Sequence, residues 1–373
     1  MICYCDSKKN IRRRNKNNKI HNIKENKYSF KYQYNSNNKI IDNQYNNMKG
    51  FENIGNSCYI NSFLQILFHT KNFINNLKKE YENSYNKSSF IKNLIDLSET
   101  HNKKYLYFIQ NYMKNNYSKY SPFLQGDSQN FGMDLINEII KNIKGEENFS
   151  SEYENKNGNE IMLDLYKKDK YKTFINKYQK NLISIEKMFL LNESNIFYIP
   201  NQISNIRFDS SFQIELSIEN NRNNYLDEYS LKDLLDFKYL KELENKQNID
   251  KNSFENNTFF TKICKLPEIL IISISRAALG NKYKNQKIHF PKIIDILDYL
   301  DKDLINKRNT KYKLYGINEK NGNSKLSGHY YSYIYISSKW YLFEDTEIKE
   351  EEPNFTSRNV VGLFYKEFEE LAD

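Results

Sequence analysis

Apolar residues recur at helical spacing directly after a turn-rich segment early in the chain. The turn contains Asn53, Gly55 and Ser57, which are turn and cap formers. Positions i, i+3, i+4 and i+7 of the segment that follows are all apolar, namely Ile60, Phe63, Leu64 and Leu67. The pattern predicts a buried helix whose first turn carries Cys58, where unpaired N–H groups and the helix dipole favour a thiolate.

The period of the apolar positions changes along the chain and divides it into helical and strand-rich parts. Helical spacing runs from residue 51 to about 145 and includes Phe131 to Ile143. Residues 146–190 are charged and weakly periodic, which predicts a helical insertion. Residues 195–275 mix strands with a helix near Leu231 to Leu243, and residues 262–366 are strand-dominated. The prediction is an α+β fold in which the Cys58 helix packs against an antiparallel sheet.

A cysteine nucleophile needs a base, and the chain has five histidines. His329 follows Gly328 and opens an alternating aromatic strand, whereas His21, His69, His101 and His289 have plainer structural explanations. Glycine before the base leaves room for a substrate backbone. His329 is therefore the candidate base, although alone it would be an ordinary strand histidine.

Two acids follow the next strand, and one of them is the candidate partner of His329. Residues 338–343 read as a second strand after a short polar turn, and this strand ends in Glu344 and Asp345. A hairpin returns its far end to the start of its first strand, so both acids should lie near His329. The alternative is a solvated acidic cluster, since Glu347 and Glu350 to Glu352 follow.

Four ordered motifs resemble those of the ubiquitin-specific proteases, which are papain-like cysteine deubiquitinases. Asn53 to Gln65 resembles their cysteine box, and Gly328 to Tyr330 with Trp340 to Asp345 resembles their histidine box. Leu124 to Phe131 is similar to their glutamine/aspartate box. Lys265 to Arg276, followed by Phe290-Pro291, looks like their proline-led buried strand. The resemblance covers residues 48–366 and implies a papain-like fold with a helical thumb, an antiparallel β palm and β fingers.

The resemblance implies a role for each matched residue. Cys58 would attack the carbonyl of the terminal glycine of ubiquitin, and His329 would move the proton. Asn53 would stabilise the oxyanion, although a turn residue is the plainer reading. The implied substrate-binding residues flank the tail of ubiquitin: Gln125, Asp127, Gly328 and Tyr330.

Several positions depart from the family pattern. The residue after the Trp-x-x-Phe element is Glu344, where Asp or Asn is usual, so we favour Asp345 as the orienting acid with Glu344 close behind. Asn130 replaces the usual glutamate, and Lys320-Asn321-Gly322 stands where relatives have a histidine before the glycine of the histidine-box loop. Two alternatives therefore stay open: a catalytically impaired ubiquitin-binding relative, and a protease for another ubiquitin-like modifier.

The cysteine count argues against the structural zinc that many members of this family carry. The four cysteines are Cys3, Cys5, Cys58 and Cys264, so no tetrad of paired ligands is possible. The fingers should then be zinc-free and depend on apolar strands such as Ser211 to Leu216. No cofactor or metal is expected.

Composition sets the remaining expectations. At 373 residues and 39% apolar, the chain can bury one large or two modest cores, and it has no 18-residue apolar run. Residues 1–47 read as a basic, disordered tail, and residues 48–373 as one catalytic domain, with the thumb at about 51–190 and the fingers and palm at about 191–366. The expected partners are ubiquitin and ubiquitinated proteins.

The same composition bears on compartment and assembly. Few cysteines fit a reducing compartment, so we expect a cytoplasmic or nuclear monomer. The net charge of +9 follows a general Asn/Lys bias, and the aromatic residues form no base-stacking motif, so neither nucleic acid nor a membrane is an expected partner.

Overall fold

The computed structural model describes most of the chain from residue 48 onward. The described residues are 48–122, 124–145, 163–199, 202–218, 227–240, 258–277, 283–305, 309–322, 324 and 327–368. The predictions made for the basic tail at 1–47, and for 146–162 of the charged insertion, lie outside the described residues.

Five helices build the predicted thumb: α1 Cys58–Phe68, α2 Phe73–Asn83, α3 Ser89–Thr100, α4 Lys103–Asn116 and α5 Ser128–Lys144. Helix α1 is the central one, because every residue from Cys58 to Leu67 is buried. Helix α5 contains the predicted segment Phe131 to Ile143 and crosses α1 closely. A Cβ on Gly132 would lie 2.0 Å from the Phe63 ring, so only glycine permits this approach.

The palm is one sheet, and its strands are β3 Ile214–Ser217, β6 Ile269–Ser275, β8 Ile293–Asp295, β9 Lys311–Asn321, β10 His329–Ile336, β11 Lys339–Glu344, β12 Glu347–Glu350 and β14 Val360–Glu367. Neighbouring strands follow the order β12-β11-β10-β9-β14-β6-β3, and β8 also pairs with β9. The pairs are antiparallel except β3 with β6, which run parallel. Helix α1 packs against β10 and β11, which brings the thumb onto the palm.

The fingers are a separate antiparallel sheet of three strands, β1 Leu191–Ile199, β2 Gln202–Ser211 and β5 Thr258–Lys265, with β1 in the centre. The charged insertion contributes α6 Leu163–Tyr178 and α7 Ser184–Phe189. Tyr171 and Phe174 of α6 pack against a small apolar cluster of Ile196, Ile206, Phe208 and Cys264. The fingers therefore have an apolar cluster covered by a helix.

The prediction of a single finger strand at Ser211 to Leu216 is wrong. Ser211 ends β2, residues 212–213 turn, and Ile214 begins β3 in the palm. Ile214 and Leu216 are buried, but they lie in the palm, where their partner is the buried strand β6. The spacing of apolar residues indicates which side chains are buried, but it does not indicate whether the strand belongs to the finger sheet or to the palm sheet.

Most of the remaining elements border the palm core: α8 Leu231–Tyr239, the short strands β4 Glu228–Ser230, β7 Lys287–His289 and β13 Thr356–Ser357, and the 3₁₀ turn Leu297–Tyr299. A second 3₁₀ turn, Ser118–Tyr120, follows α4 in the thumb, where Tyr120 stacks on Tyr59. Helix α8 ends at Tyr239, earlier than the predicted Leu243, and its Leu231, Leu234 and Leu235 join the palm core. Among the described helices, none is long and apolar enough to cross a bilayer.

Candidate active site

A tight turn presents Cys58 at the first position of α1. Gly55 and Asn56 have φ values of +104° and +45°, and this left-handed backbone favours glycine and asparagine. The Asn53 Oδ1 accepts hydrogen bonds from the Ser57 and Gly55 N–H groups at 3.2 and 3.3 Å. The turn is thereby tied to its own side chain, and the Cys58 side chain is fixed at the start of a fully buried helix.

His329 lies where strand β10 begins, as the sequence predicts. The preceding Gly328 has φ +148°, and a Cβ there would approach the Asn321 carbonyl oxygen to 2.8 Å. Glycine is therefore required at this position by the backbone itself. Because β10 pairs with β9 at Asn321, the imidazole projects from a rigid strand rather than from a free loop.

The structure brings Cys58 and His329 together across the boundary between thumb and palm. Burial alone would raise the pKa of the Cys58 thiol, but hydrogen bonds from the His329 side chain, the Tyr330 N–H and the Gln125 side chain outweigh it and lower that pKa. The hydrogen bond with Cys58 also raises the pKa of His329, against the effect of burial. The two groups therefore favour a thiolate–imidazolium pair.

Glu344, and not Asp345, contacts the imidazole. The Glu344 Oε1 lies 3.1 Å from His329 Nε2, with both side chains half exposed. The sequence favoured Asp345 over Glu344 as the partner of His329, whereas in the structure Glu344 makes that contact. After the Cys58 hydrogen bond, the charges of Asp345 and Glu344 both raise the pKa of His329. Both acids favour the imidazolium, and Glu344 is the one in contact with the ring.

Asp345 instead joins the hairpin to the Cys58 turn. Its carboxylate accepts hydrogen bonds from Asn53 Nδ2 at 3.0 Å and from Asn61 Nδ2 at 2.7 Å. Its carbonyl oxygen accepts a further bond from the Phe51 N–H at 2.8 Å. Asp345 therefore fixes the amide of Asn53, the candidate oxyanion donor, beside the first turn of α1.

The four candidate substrate residues lie around the same cleft. Gln125 Nε2 donates to Cys58 Sγ over 3.6 Å, so this side chain contacts the sulfur directly. Asp127 is exposed and caps α5 by accepting from the Asn130 N–H at 2.9 Å. Gly328 and Tyr330 flank His329, but the Tyr330 ring is 2% exposed and packs edge-on against Tyr59. Only the backbone of Tyr330 is therefore available to a substrate, while its buried ring packs against the thumb at Tyr59.

Two supporting residues escaped the sequence reasoning. Asn61 is buried in α1, one turn after Cys58, and also donates to the Glu52 carbonyl oxygen at 3.2 Å. Asn318 of β9 donates to Ser128 of α5 at 2.7 Å, which links the palm to the thumb. Both are polar residues within an otherwise apolar run, and this pattern could have revealed them. A buried amide is costly unless it is hydrogen-bonded, so such a residue is expected to have a partner.

Metal ligands do not cluster in the described part of the chain: no three His, Cys, Asp or Glu side chains there approach closely enough to hold an ion. Cys264 lies in the apolar cluster of the fingers, and burial raises its pKa well above the ordinary thiol value. Cys264 therefore packs as an apolar side chain.

Comparison with known proteins agrees with this arrangement. Ubiquitin carboxyl-terminal hydrolase 4 of Arabidopsis thaliana is 25% identical over 329 residues, which cover 80% of this chain and 84% of that protein. Ubiquitin carboxyl-terminal hydrolase 16 of Arabidopsis thaliana is 31% identical over 117 residues, which are 30% of this chain and only 11% of the relative.

Solved structures show the same fold. The chain aligns with the yeast SAGA DUB module carrying an Sgf73 mutant at TM-score 0.62 and 19% identity, over 86% of this chain and 69% of that one. It aligns with the Ubp8/Sgf11/Sus1/Sgf73 SAGA DUB module bound to monoubiquitin at TM-score 0.63 and 17% identity, over 89% and 75%.

A helix-borne cysteine packed against a palm sheet that carries a histidine defines the class of papain-like cysteine hydrolases. Residues 49–365 match the family described as ubiquitin carboxyl-terminal hydrolase. The chain belongs to the ubiquitin carboxyl-terminal hydrolase family.

Proposed function

We propose that this chain is a thiol-dependent deubiquitinase, which hydrolyses the peptide or isopeptide bond after the C-terminal glycine of ubiquitin. The observation that carries the proposal is the contact of Cys58 with His329, supported by Glu344, in a chain of this family. Two structural neighbours are described as bound to monoubiquitin and to ubiquitin aldehyde, which supports ubiquitin as the substrate.

In the first half-reaction the Cys58 thiolate attacks the glycine carbonyl carbon, and the carbonyl oxygen becomes an oxyanion. Asn53 Nδ2 and the N–H of Cys58, an amide at a helix start, are the donors available to that oxygen. The C–N bond then breaks as the His329 imidazolium gives its proton to the leaving amine. The products are a thioester on Cys58 and the free lysine amine.

In the second half-reaction neutral His329 removes a proton from water, which attacks the thioester carbonyl. Collapse of this oxyanion breaks the C–S bond and restores the thiolate–imidazolium pair, and the released C-terminal carboxylic acid of ubiquitin loses its proton to solvent. Glu344 acts throughout by holding the ring, since its Oε1 contacts Nε2. Gln125, which contacts the sulfur, and Gly328, which precedes His329, are the residues we expect the tail of ubiquitin to pass.

Labelling with ubiquitin that carries a C-terminal thiol-reactive group tests the proposal. Wild-type protein should form a covalent adduct, and Cys58→Ala should form none, while Cys264→Ala serves as the matched control because Cys264 is buried in the fingers. Absence of an adduct from folded wild-type protein would contradict the assignment and favour an impaired ubiquitin-binding relative.

A second candidate is a protease for another ubiquitin-like modifier. Asn130 stands exposed in the first turn of α5 beside Asp127, where the family pattern has an acid. A panel of modifiers with the same C-terminal fluorophore separates the two candidates. Faster cleavage of a non-ubiquitin member, expressed as kcat/KM, would replace ubiquitin as the substrate.

The remaining properties are proposals of the same kind. We propose a monomer that needs no metal, a catalytic domain at 48–373, and a cytoplasmic or nuclear location. Light scattering should give the mass of one chain, and a metal chelator should leave turnover unchanged. A dimer mass, or activity lost to the chelator and restored by zinc, would contradict these proposals.

A further inference from the structure

A lysine is almost fully buried in the strand that pairs with the His329 strand. Lys320 of β9 stands opposite Tyr330 of β10 and is only 2% exposed. A buried ammonium is costly unless charges, aromatic rings or hydrogen bonds compensate for its lost hydration. The reaction described above makes no use of this residue, so its place beside the site needs an explanation.

The ammonium group of Lys320 lies between two aromatic rings. Its Nζ is 5.1 Å from the ring centroid of Tyr283 and 5.4 Å from that of Tyr330. It also donates a hydrogen bond to the Ser324 carbonyl oxygen at 3.0 Å. Two cation–π contacts and a carbonyl acceptor are the environment that keeps a buried lysine charged.

The stem of the same side chain supports the residue that precedes His329. A Cβ added to Gly328 would lie 2.8 Å from Lys320 Cε, so the lysine already occupies the space beside Gly328. Together with the hydrogen bond to Ser324, this contact means that Lys320 packs against two residues of the segment that joins β9 to β10. The backbone just before His329 is therefore supported by the Lys320 side chain.

Lys320 also stands near Cys58 through strand pairing, because its partner on β10 is Tyr330, whose N–H hydrogen-bonds to the Cys58 sulfur. Burial lowers the pKa of the lysine, whereas the charges of Asp127 and the Cys58 thiolate raise it. The other titratable groups that face the lysine are Tyr283 and Tyr330, both with pKa values raised by burial and so neutral at ordinary pH.

Two further titratable groups adjoin Cys58. His329 hydrogen-bonds to the sulfur, and the pKa of Tyr59 is raised by burial and by the thiolate charge. Tyr59 is therefore neutral, and His329 is the cation that contacts the thiolate.

We propose that Lys320 is a positioning residue that braces Gly328 and His329 and gives the Cys58 thiolate a second positive charge. The inference rests on the proposed function, since a thiol nucleophile benefits from such a charge. A lysine keeps its charge to higher pH than a histidine, so the thiolate is supported over a wider range.

Alkylation of Cys58 in the full chain, without ubiquitin, measures this charge. The rates with anionic iodoacetate and neutral iodoacetamide are followed from pH 4 to 9 by mass spectrometry of the Cys58 peptide. In Lys320→Met we expect the midpoint of thiolate formation to rise by about 0.5–1 pH unit, less than for an opposite charge in contact. We also expect the iodoacetate-to-iodoacetamide rate ratio above the midpoint to fall roughly threefold.

Matched variants make the result decisive. Lys320→Arg should recover most of both effects, and Lys339→Met, at the exposed end of β11 where Lys339 pairs with Glu350, should leave both unchanged. Lys320→Gln gives the same comparison if the methionine variant does not fold.

A folded Lys320→Met or Lys320→Gln protein with wild-type midpoint and rate ratio would overturn the proposal, even if its melting temperature fell. The two reagents contain no ubiquitin, so this test is independent of the substrate. If wild-type protein failed to react with the ubiquitin probe but still showed the change in ratio, the substrate assignment alone would be overturned.

Discussion

At the scale of single residues, two adjacent acids act on two different parts of the site. Glu344 contacts the imidazole of His329, while Asp345 holds Asn53 and Asn61 on the opposite side of the cleft. The positive φ of Asp345, +50°, turns the chain so that the two carboxylates diverge. Two residues adjacent in sequence thus contact the candidate base and the candidate oxyanion donor, respectively.

Glu344→Gln should lower kcat/KM by about 10–100-fold, because the ring loses its charged partner. The pKa of His329 is raised in part by this carboxylate, so the alkaline limb of the kcat/KM profile should move to lower pH as the imidazolium loses its proton earlier. The acid limb reports the lowered pKa of Cys58. Glu350→Gln, on the exposed edge strand of the same hairpin, is the control; an unshifted alkaline limb in Glu344→Gln would contradict the role.

Asp345→Ala should cost activity through Asn53. Losing one oxyanion donor typically costs about 10²–10³ in kcat, so Asn53→Ala should fall in that range and Asp345→Ala should approach it. In the double variant the two losses should not multiply, because the carboxylate acts on the same amide. Single-turnover rates on a ubiquitin amide substrate measure all four proteins, and multiplicative losses would show that Asp345 acts elsewhere.

At the scale of elements, backbone geometry sets where the reacting groups stand. Helix α1 begins at Cys58 because a left-handed turn ends there, and β10 begins at His329 because Gly328 lets the chain pass close to Asn321. Both starts could be predicted from the sequence, since turn residues and the change of period are local signals. The break between β2 and β3 could not be predicted, because burial of Ile214 and Leu216 is equally compatible with the finger sheet and with the palm sheet.

Gly328→Ala should abolish most activity while leaving the fold in place. Its Cβ would meet the Asn321 carbonyl oxygen at 2.8 Å, so His329 must shift, and the strained φ costs about 1–3 kcal/mol. Gly145→Ala is the matched control: its φ is +87°, yet nothing lies within 4 Å of the new Cβ. Both variants should melt somewhat earlier, and only Gly328→Ala should lose kcat/KM; equal activities would contradict the prediction.

At the scale of the whole molecule, the fingers are held by a buried ion pair together with apolar packing. Lys167 of α6 lies 2.5 Å from Asp301, and both side chains are less than a tenth exposed. Ser194 of β1 donates to the same carboxylate at 3.1 Å. The ion pair thus attaches the insertion helix to the base of the finger sheet.

Asp301→Asn should destabilise the protein by about 3 kcal/mol, because the Lys167 ammonium loses its buried counter-charge and keeps only the half-exposed carboxylate of Asp303, 3.4 Å away. Denaturant unfolding measures the loss, and hydrogen exchange should locate the first opening in α6 and β1. Glu350→Gln, which breaks the exposed pair with Lys339, should change stability by less than about 1 kcal/mol. Equal effects of the two substitutions would show that the buried pair does not hold the fingers.

The sequence alone determined the fold class, the position of Cys58 at a helix start, and His329 at a strand start. These follow from local patterns and from four ordered motifs, which need no knowledge of distant contacts. Only the tertiary structure decided that Glu344 contacts His329, that Asp345 holds Asn53, and that the buried Lys320 lies against Tyr330. These choices depend on how the strands twist and which side chains then meet across thumb and palm, so separations of a few ångströms, rather than residue type, decided them.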